Sequence, residues 1–333
     1  MVSSAILRCA VTYYLFLNNP PETPGEKGYG GQKMISVRVP ASTANLGSGF
    51  DCMGIALKLY TEAKFEETDS GLEINILDSS RDFLPCDDTN YVYRAMKRVF
   101  DKAGKYPKGI RITSHTDIPI TRGLGSSSAS LALGLCGANE LIGTPFSHEE
   151  LLQIAYDIEG HPDNVTPAFF GGFTVAVNHH NRVIYTKTEV PENIRFAAMI
   201  PEFYLATKRA RGILPKTVLH KNAAFNIAHA AYFASAAAKG DFSAFDVGVK
   251  DKIHQKYRFE LIGSAEFIIR SAKRYGAMCG YLSGAGPTII SVVDKNHDEF
   301  TKKMKGLIAT NLKNWKLVML EPDNTGVVIT HHD

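Results

Sequence analysis

The sequence predicts an α+β protein of two domains that meet near residue 190. Three observations carry this: the chain of 333 residues is about twice a common domain size; strand-like and helix-like segments alternate from residue 34 onward without repeats; and that order restarts near residue 190. Hydrophobic residues make up 44% and charged residues 21%, which suits a folded globular chain and excludes a disordered one. A formal net charge of +3, evenly spread, gives no support for nucleic acid or a membrane surface as partner.

Taken in order, Ile35–Pro40 alternates like a strand and leads into a polar turn and the apolar run GIALKLY. EAKFEET and LEINIL read as a hairpin. Residues 90–103 place Val92, Met96, Val99 and Phe100 at helical spacing, with Asp87 or Asp88 as the expected cap. Ile110–Ser114 is a short strand. Ser126–Ile142, rich in Ala and Leu, is a helix ended by Gly143 and Pro145, and Ser147–Ile158 is another, opened by the capping box Ser147 and Glu150. GGFTVAV and RFAAMIP are strands. Beyond residue 190 come two helices, in NIAHAAYFASAAA and SAEFIIRSAKRYG, and then two strands joined by a glycine-rich turn in CGYLSGAGPTIISVV.

Residues 1–33 read as an extension, disordered or preceding the natural start, with a weak targeting peptide as the alternative, and no function is built on them. Its apolar stretch, Ala10–Leu17, is far short of the roughly 20 residues a membrane span needs, and Pro20–Gly31 has linker composition. Cys9, Cys52, Cys86, Cys136 and Cys279 are isolated and form no C-x-x-C pair. That argues for buried thiols in a reducing, cytoplasmic compartment rather than a disulfide framework or zinc site.

The most informative segment runs from Asp117 to Ser130, DIPITRGLGSSSAS, and feeds the Ala/Leu helix. Two glycines let backbone N–H groups approach an anion, the helix start adds unsatisfied donors, and three serines add hydroxyls, one able to reach a phosphate-bound Mg²⁺. No Gly-Lys-[Ser/Thr] follows, so this is not a P-loop, and the third glycine of a dinucleotide fingerprint is replaced by Ser128. A helix start that merely caps itself is the competing reading. Two further segments favour a ligand: PASTANLGSGFDCMG, where Asn45 and Asp51 suit an amine or hydroxyl, and EGHPDNVTPAFFGG, where His161, Asp163 and Asn164 crowd between glycines.

With DDTNYVYRA, TKRARGILP, DKIHQKYR and YLSGAGPT, these segments form an ordered set from Met34 onward that resembles the homoserine kinases of the GHMP kinase superfamily. The resemblance implies a ribosomal-protein-S5-domain-2-like ATP-binding domain over 34–190 and a ferredoxin-like domain over 191–333. It implies ATP-dependent phosphorylation of L-homoserine to O-phospho-L-homoserine in threonine biosynthesis, with ATP and Mg²⁺ as cofactors and a homodimer as a possible assembly. ATP would be held by Pro119, Ile120, Thr121, Arg122, Gly123, Leu124, Gly125, Ser126, Ser127, Ser128 and Ala129, with Asn90 near the adenine. Mg²⁺ would fall to Ser127 and Glu159, and homoserine to Asn45, Asp51, His161, Asn164, Arg211, Arg258, Gly284 and Gly286. Arg211, Asn164 and Ser127 would carry the chemistry.

The sequence departs from the pattern in three places. Where related mevalonate-type kinases carry an Asp base, counting back from Gly171-Gly172 gives Asn164, with Asp163 one residue away, so the expected mechanism needs no general base. The slot of a metal-binding Glu corresponds to Gln153, leaving Glu159 or Asp157 to substitute. SSSAS stands for the more usual SSAA. A mevalonate-type kinase and a nucleotide sensor without turnover are the alternatives on the same scaffold.

Overall fold

The computed structural model describes residues 34–332; the expectations for residues 1–33 lie outside the described residues. In chain order the strands and helices are β1 (Met34–Ala44), β2 (Met53–Thr68), β3 (Gly71–Ile76), α1 (Tyr91–Ala103), β4 (Gly109–Thr116), α2 (Ser126–Leu141), α3 (His148–Glu159), α4 (Val165–Phe170), β5 (Phe173–His179), β6 (Arg182–Thr188) and β7 (Ile194–Pro201). They continue with α5 (Thr207–Gly212), α6 (His220–Ala237), α7 (Phe245–Gly248), α8 (Gln255–Glu260), α9 (Ala265–Arg274), β8 (Cys279–Leu282), β9 (Ile289–Asp294), α10 (Asp298–Asn311), β10 (Trp315–Leu320) and β11 (Val328–His332).

A seven-stranded sheet has the order β11-β1-β2-β4-β3, with β5 and β6 branching from β2. The expected hairpin of EAKFEET with LEINIL is not formed. The β4 strand lies between β2 and β3, antiparallel to the first and parallel to the second. A parallel pair needs a crossover, and α1 supplies it. The true hairpin joins β1 to β2, and its register shifts at Pro40/Ala41, where a proline that cannot donate to the ladder is accommodated. Asn90, not Asp87 or Asp88, caps α1: its Oδ1 accepts from the N–H groups of Val92 and Tyr93, while Asp87 closes the preceding turn through Thr89.

The second sheet has the order β10-β7-β9-β8, antiparallel throughout, and its strands follow the sequence β-α-β-β-α-β. Residue 190 lies between β6 and β7, and the chain later returns β11 to pair with β1 of the first sheet. One core unites Phe65, Leu131 and Phe173 with Phe196, Phe245 and Tyr281, drawn from both sheets and their helices. The α2 helix is buried from Ser128 to Glu140 on almost every side, as a helix without a polar face must be. That burial leaves its N-terminus as the part that meets solvent-accessible space.

Candidate active site

The glycine loop is anchored before it can bind anything. Gly125 is the N-cap of α2 with φ of +70°, and the helix start carries no side-chain cap. Its first-turn N–H groups are therefore available, which removes the reading of a self-capped helix start. A Cβ on Gly125 would lie 2.0 Å from Ser42 Oγ, so only glycine fits there. Ser283 Oγ donates to the Gly123 carbonyl, and Ser42 N–H donates to that of Leu124. Arg122 spends its guanidinium on the carbonyls of Ile120, Pro201 and Glu202 and lies over the Tyr204 ring, tying the loop to the end of β7.

This loop forms one wall of a cavity of about 380 Å³. Of the residues expected to hold ATP, Asn90, Ile120, Thr121, Arg122, Gly123, Gly125, Ser126, Ser127 and Ser128 line it. Leu124 and Ala129 are fully buried and serve loop shape, and Pro119 does not line the cavity. Asn90 reaches the cavity with its polar atoms already used, for capping α1 and for donating to the Pro85 carbonyl. Sequence reasoning missed Tyr91, whose hydroxyl accepts from Ser127 Oγ at 3.3 Å, and the far end of the cavity at Asp78, Ser80 and His115.

All the residues expected at the acceptor, Asn45, Asp51, His161, Asn164, Arg211, Arg258, Gly284 and Gly286, line the same cavity. They come from five separate segments. Asn45 Nδ2 donates to the Gly284 carbonyl and Asn45 Oδ1 accepts from the Asp51 N–H, so one amide joins the first turn to the second glycine turn. Arg258 is 1% exposed and donates to the carbonyls of Ala210 and Gly284, which leaves Nη2 for a ligand. Burial, then repulsion from Arg211, draws its pKa down to about 10. Arg211 makes a bidentate pair with Asp51, at 2.7 and 3.0 Å, which raises its own pKa against the opposing effect of burial.

Opposite these charges, Asp163 is 2% exposed and accepts from His161 Nδ1 at 2.9 Å and from Asn164 Nδ2 at 3.3 Å. Burial lowers the His161 pKa, but the hydrogen bond and charge of Asp163, with Glu159 beyond, outweigh it and raise the value. Asn164 Oδ1 accepts from Ser42 Oγ at 2.9 Å. Of the carboxylates considered for a metal, Glu159 faces the cavity and accepts from Ser128 Oγ at 3.4 Å. Gln153 and Asp157 do not line it: Gln153 donates to Asp157 and accepts from the Val183 N–H, bracing β6. A carboxylate beside serine hydroxyls is a hard oxygen set suited to Mg²⁺, which keeps its remaining positions for water and phosphate oxygens.

Comparison with known proteins puts this arrangement in context. Family models for the GHMP kinase N-terminal domain and the GHMP kinase C-terminal domain match residues 90–172 and 233–304. A homoserine kinase from Caldicellulosiruptor saccharolyticus is 47% identical over 300 residues, covering 89% of this chain and 96% of that protein. The chain belongs to the homoserine kinase family. A second member, from Clostridium beijerinckii, is 43% identical over 297 residues, covering 89% of this chain and 98% of its own length. The solved homoserine kinase from Cytophaga hutchinsonii superposes with a TM-score of 0.81 at 27% identity, covering 92% of this chain and all of the other. The two-sheet α+β architecture is thus that of the GHMP kinases.

Proposed function

We propose that the enzyme transfers the γ-phosphoryl group of ATP to the side-chain hydroxyl of L-homoserine, giving O-phospho-L-homoserine and ADP. The observation that carries this reading is the convergence of Asp51, Arg211 and Arg258 in one cavity with an uncapped glycine loop. Homoserine is a zwitterion. Its ammonium matches Asp51 and its carboxylate matches the two guanidiniums, so the substrate replaces an ion pair that Asp51 and Arg211 otherwise make with each other. Mevalonate carries no ammonium and so has nothing to take the place of Arg211 at Asp51.

Loop N–H groups and the α2 N-terminus would receive the triphosphate, and Ser127 and Glu159 would hold Mg²⁺. The metal would supply neutralisation of the charge developing on the transferring phosphoryl group. The reaction breaks the bond from the γ-phosphorus to ADP and forms one to the homoserine oxygen. The hydroxyl proton leaves late, to an oxygen of the arriving phosphoryl group and from there to water, as a loose transition state permits, so catalysis rests on positioning and electrostatics. Asn164 cannot accept that proton, and Asp163 is committed to orienting His161 and Asn164. Asp163→Asn is therefore expected to keep kcat within about tenfold of wild type; a loss of several orders of magnitude would show a general base.

The test of the main reading is ADP release measured with L-homoserine, with mevalonate and with no acceptor. Release that depends on homoserine alone is expected. Release with mevalonate, or none with either, overturns it in favour of a mevalonate-type kinase or a nucleotide sensor. A homodimer and a cytoplasmic location belong to the same proposal; among the described residues no helix is long and apolar enough to cross a membrane.

A further inference from the structure

One buried imidazole touches both sides of the acceptor pocket. His254 immediately precedes α8 and is fully buried. Its Nε2 lies 2.8 Å from the Gly47 carbonyl and its Nδ1 lies 3.3 Å from Arg258 Nη1. A guanidinium only donates and a carbonyl only accepts, so Nδ1 is the acceptor and Nε2 carries the proton. Both partners are satisfied by the neutral ring alone. The Phe50 ring stacks on the imidazole at 4.9 Å and lies 5.2 Å from the Arg258 guanidinium.

The Gly47 carbonyl belongs to a strained turn. Asn45, Leu46 and Asp51 all hold positive φ, at 69°, 45° and 57°. Such backbone persists only where the surroundings over-determine it. Here the surroundings come from the far half of the chain: Gly47 abuts Val249, where a Cβ would meet the carbonyl oxygen at 2.1 Å, and Ser48 bonds the Gly248 carbonyl through both N–H and Oγ. His254 makes the third of these ties.

Behind the ring, Asp251 accepts from the N–H groups of Ile253, His254 and Gln255 and from Asn226 Nδ2. Those bonds fix the segment that presents the imidazole. Burial and the Arg258 charge lower the His254 pKa, against Asp251 and Asp51, which favours the neutral ring that the geometry requires.

We propose that His254, held by Asp251, is a positioning residue for the phosphoryl acceptor, fixing Arg258 through Nδ1 and the Asn45–Asp51 turn through Nε2. The separation between the carboxylate-binding cation and the ammonium-binding anion is thereby set by one ring, which selects acceptors carrying both charges on one carbon. The inference rests on the homoserine reading above and adds residues to it.

The test is steady-state kinetics of the full chain with ATP and either L-homoserine or L-homoserinamide, which lacks the carboxylate. Wild type is compared with His254→Ala, His254→Asn and His254→Gln, each checked by thermal melting. An Asn amide reaches the Nδ1 position and accepts from Arg258, whereas a Gln amide reaches the Nε2 position and donates to Gly47. His254→Ala is expected to raise the KM for L-homoserine about tenfold or more while the KM for ATP stays within about twofold. The preference for L-homoserine over the amide should survive in His254→Asn and fall in His254→Gln. The role is overturned if the homoserine KM does not move, if the homoserine and ATP KM values rise together, or if Asn and Gln lose the preference equally. Should His254→Ala fail to fold, the Asn and Gln pair decides alone. A wild type without homoserine-dependent turnover sinks the functional reading instead, so the two failures are told apart.

Discussion

The two ends of the cavity are built on opposite plans. The end proposed for ATP has one wall of consecutive backbone: a glycine loop, a helix start with no side-chain cap, and serine hydroxyls within one segment. The end proposed for the acceptor is made of side chains from the first turn, the His161–Asn164 segment, α5, α8 and the second glycine turn, packed until Arg258 has almost no exposure. Polyphosphate is large and multiply charged, so N–H groups and a helix dipole suffice to hold it. A small amino acid offers one ammonium and one carboxylate, and telling it from similar molecules needs charges at fixed points in a dry pocket. Generic chemistry is local here, and selective chemistry is assembled from afar.

Substitutions can separate the two plans. The largest effect is expected from Arg258→Met, which removes a buried guanidinium facing the substrate. It should lower kcat/KM for L-homoserine roughly a hundredfold with little change in the KM for ATP, measured by coupled ADP release. Equal loss for both substrates would break the contrast. Next, Gly125→Ala forces a Cβ against Ser42 Oγ at a positive φ. It should raise the KM for ATP about tenfold and spare the homoserine KM; an unchanged ATP KM would mean that the loop is not the nucleotide wall.

The smallest effect concerns the support rather than the site. Burial works to raise the Asp251 pKa, yet the hydrogen bonds from the Asn226 amide and from backbone N–H groups hold it below the usual carboxylate range. A depressed carboxyl contributes stability above its unfolded pKa, about 3.9, and loses it as pH falls through the folded value. Asp251→Asn should therefore be less stable by about 1–2 kcal/mol at neutral pH and show a shallower acid limb in melting temperature against pH. An acid limb identical to wild type would remove Asp251 from the support.

The same contrast explains what the sequence made legible. The glycine loop could be read because its residues are contiguous and their spacing carries the chemistry. Arg211 lies in a basic run with Lys208 and Arg209 that looks like a solvated face, and Arg258 by itself would be placed on the surface; only resemblance placed them in the pocket. His254 went unread, although it sits one helical turn before Arg258, a spacing that puts both on one face. The hairpin error has a related cause. EAKFEET and LEINIL are neighbours in sequence, and nothing local announces that β4, beyond α1, will insert between them. The cap of α1 was misassigned by two or three residues because Asp87 and Asn90 each close a turn and the pattern does not say which opens the helix.

The pairing of β11 with β1 matters while the chain is still being made. Met34 lies opposite His332, so β1 leaves the ribosome long before its partner exists. Until then the strand that carries Ile35, Val37 and Val39 has one open edge, and the nascent seven-stranded sheet exposes a template for pairing with other chains. Final assembly of that sheet therefore waits until β11 has been made, and chaperone protection of the nascent chain would guard the β1 edge first.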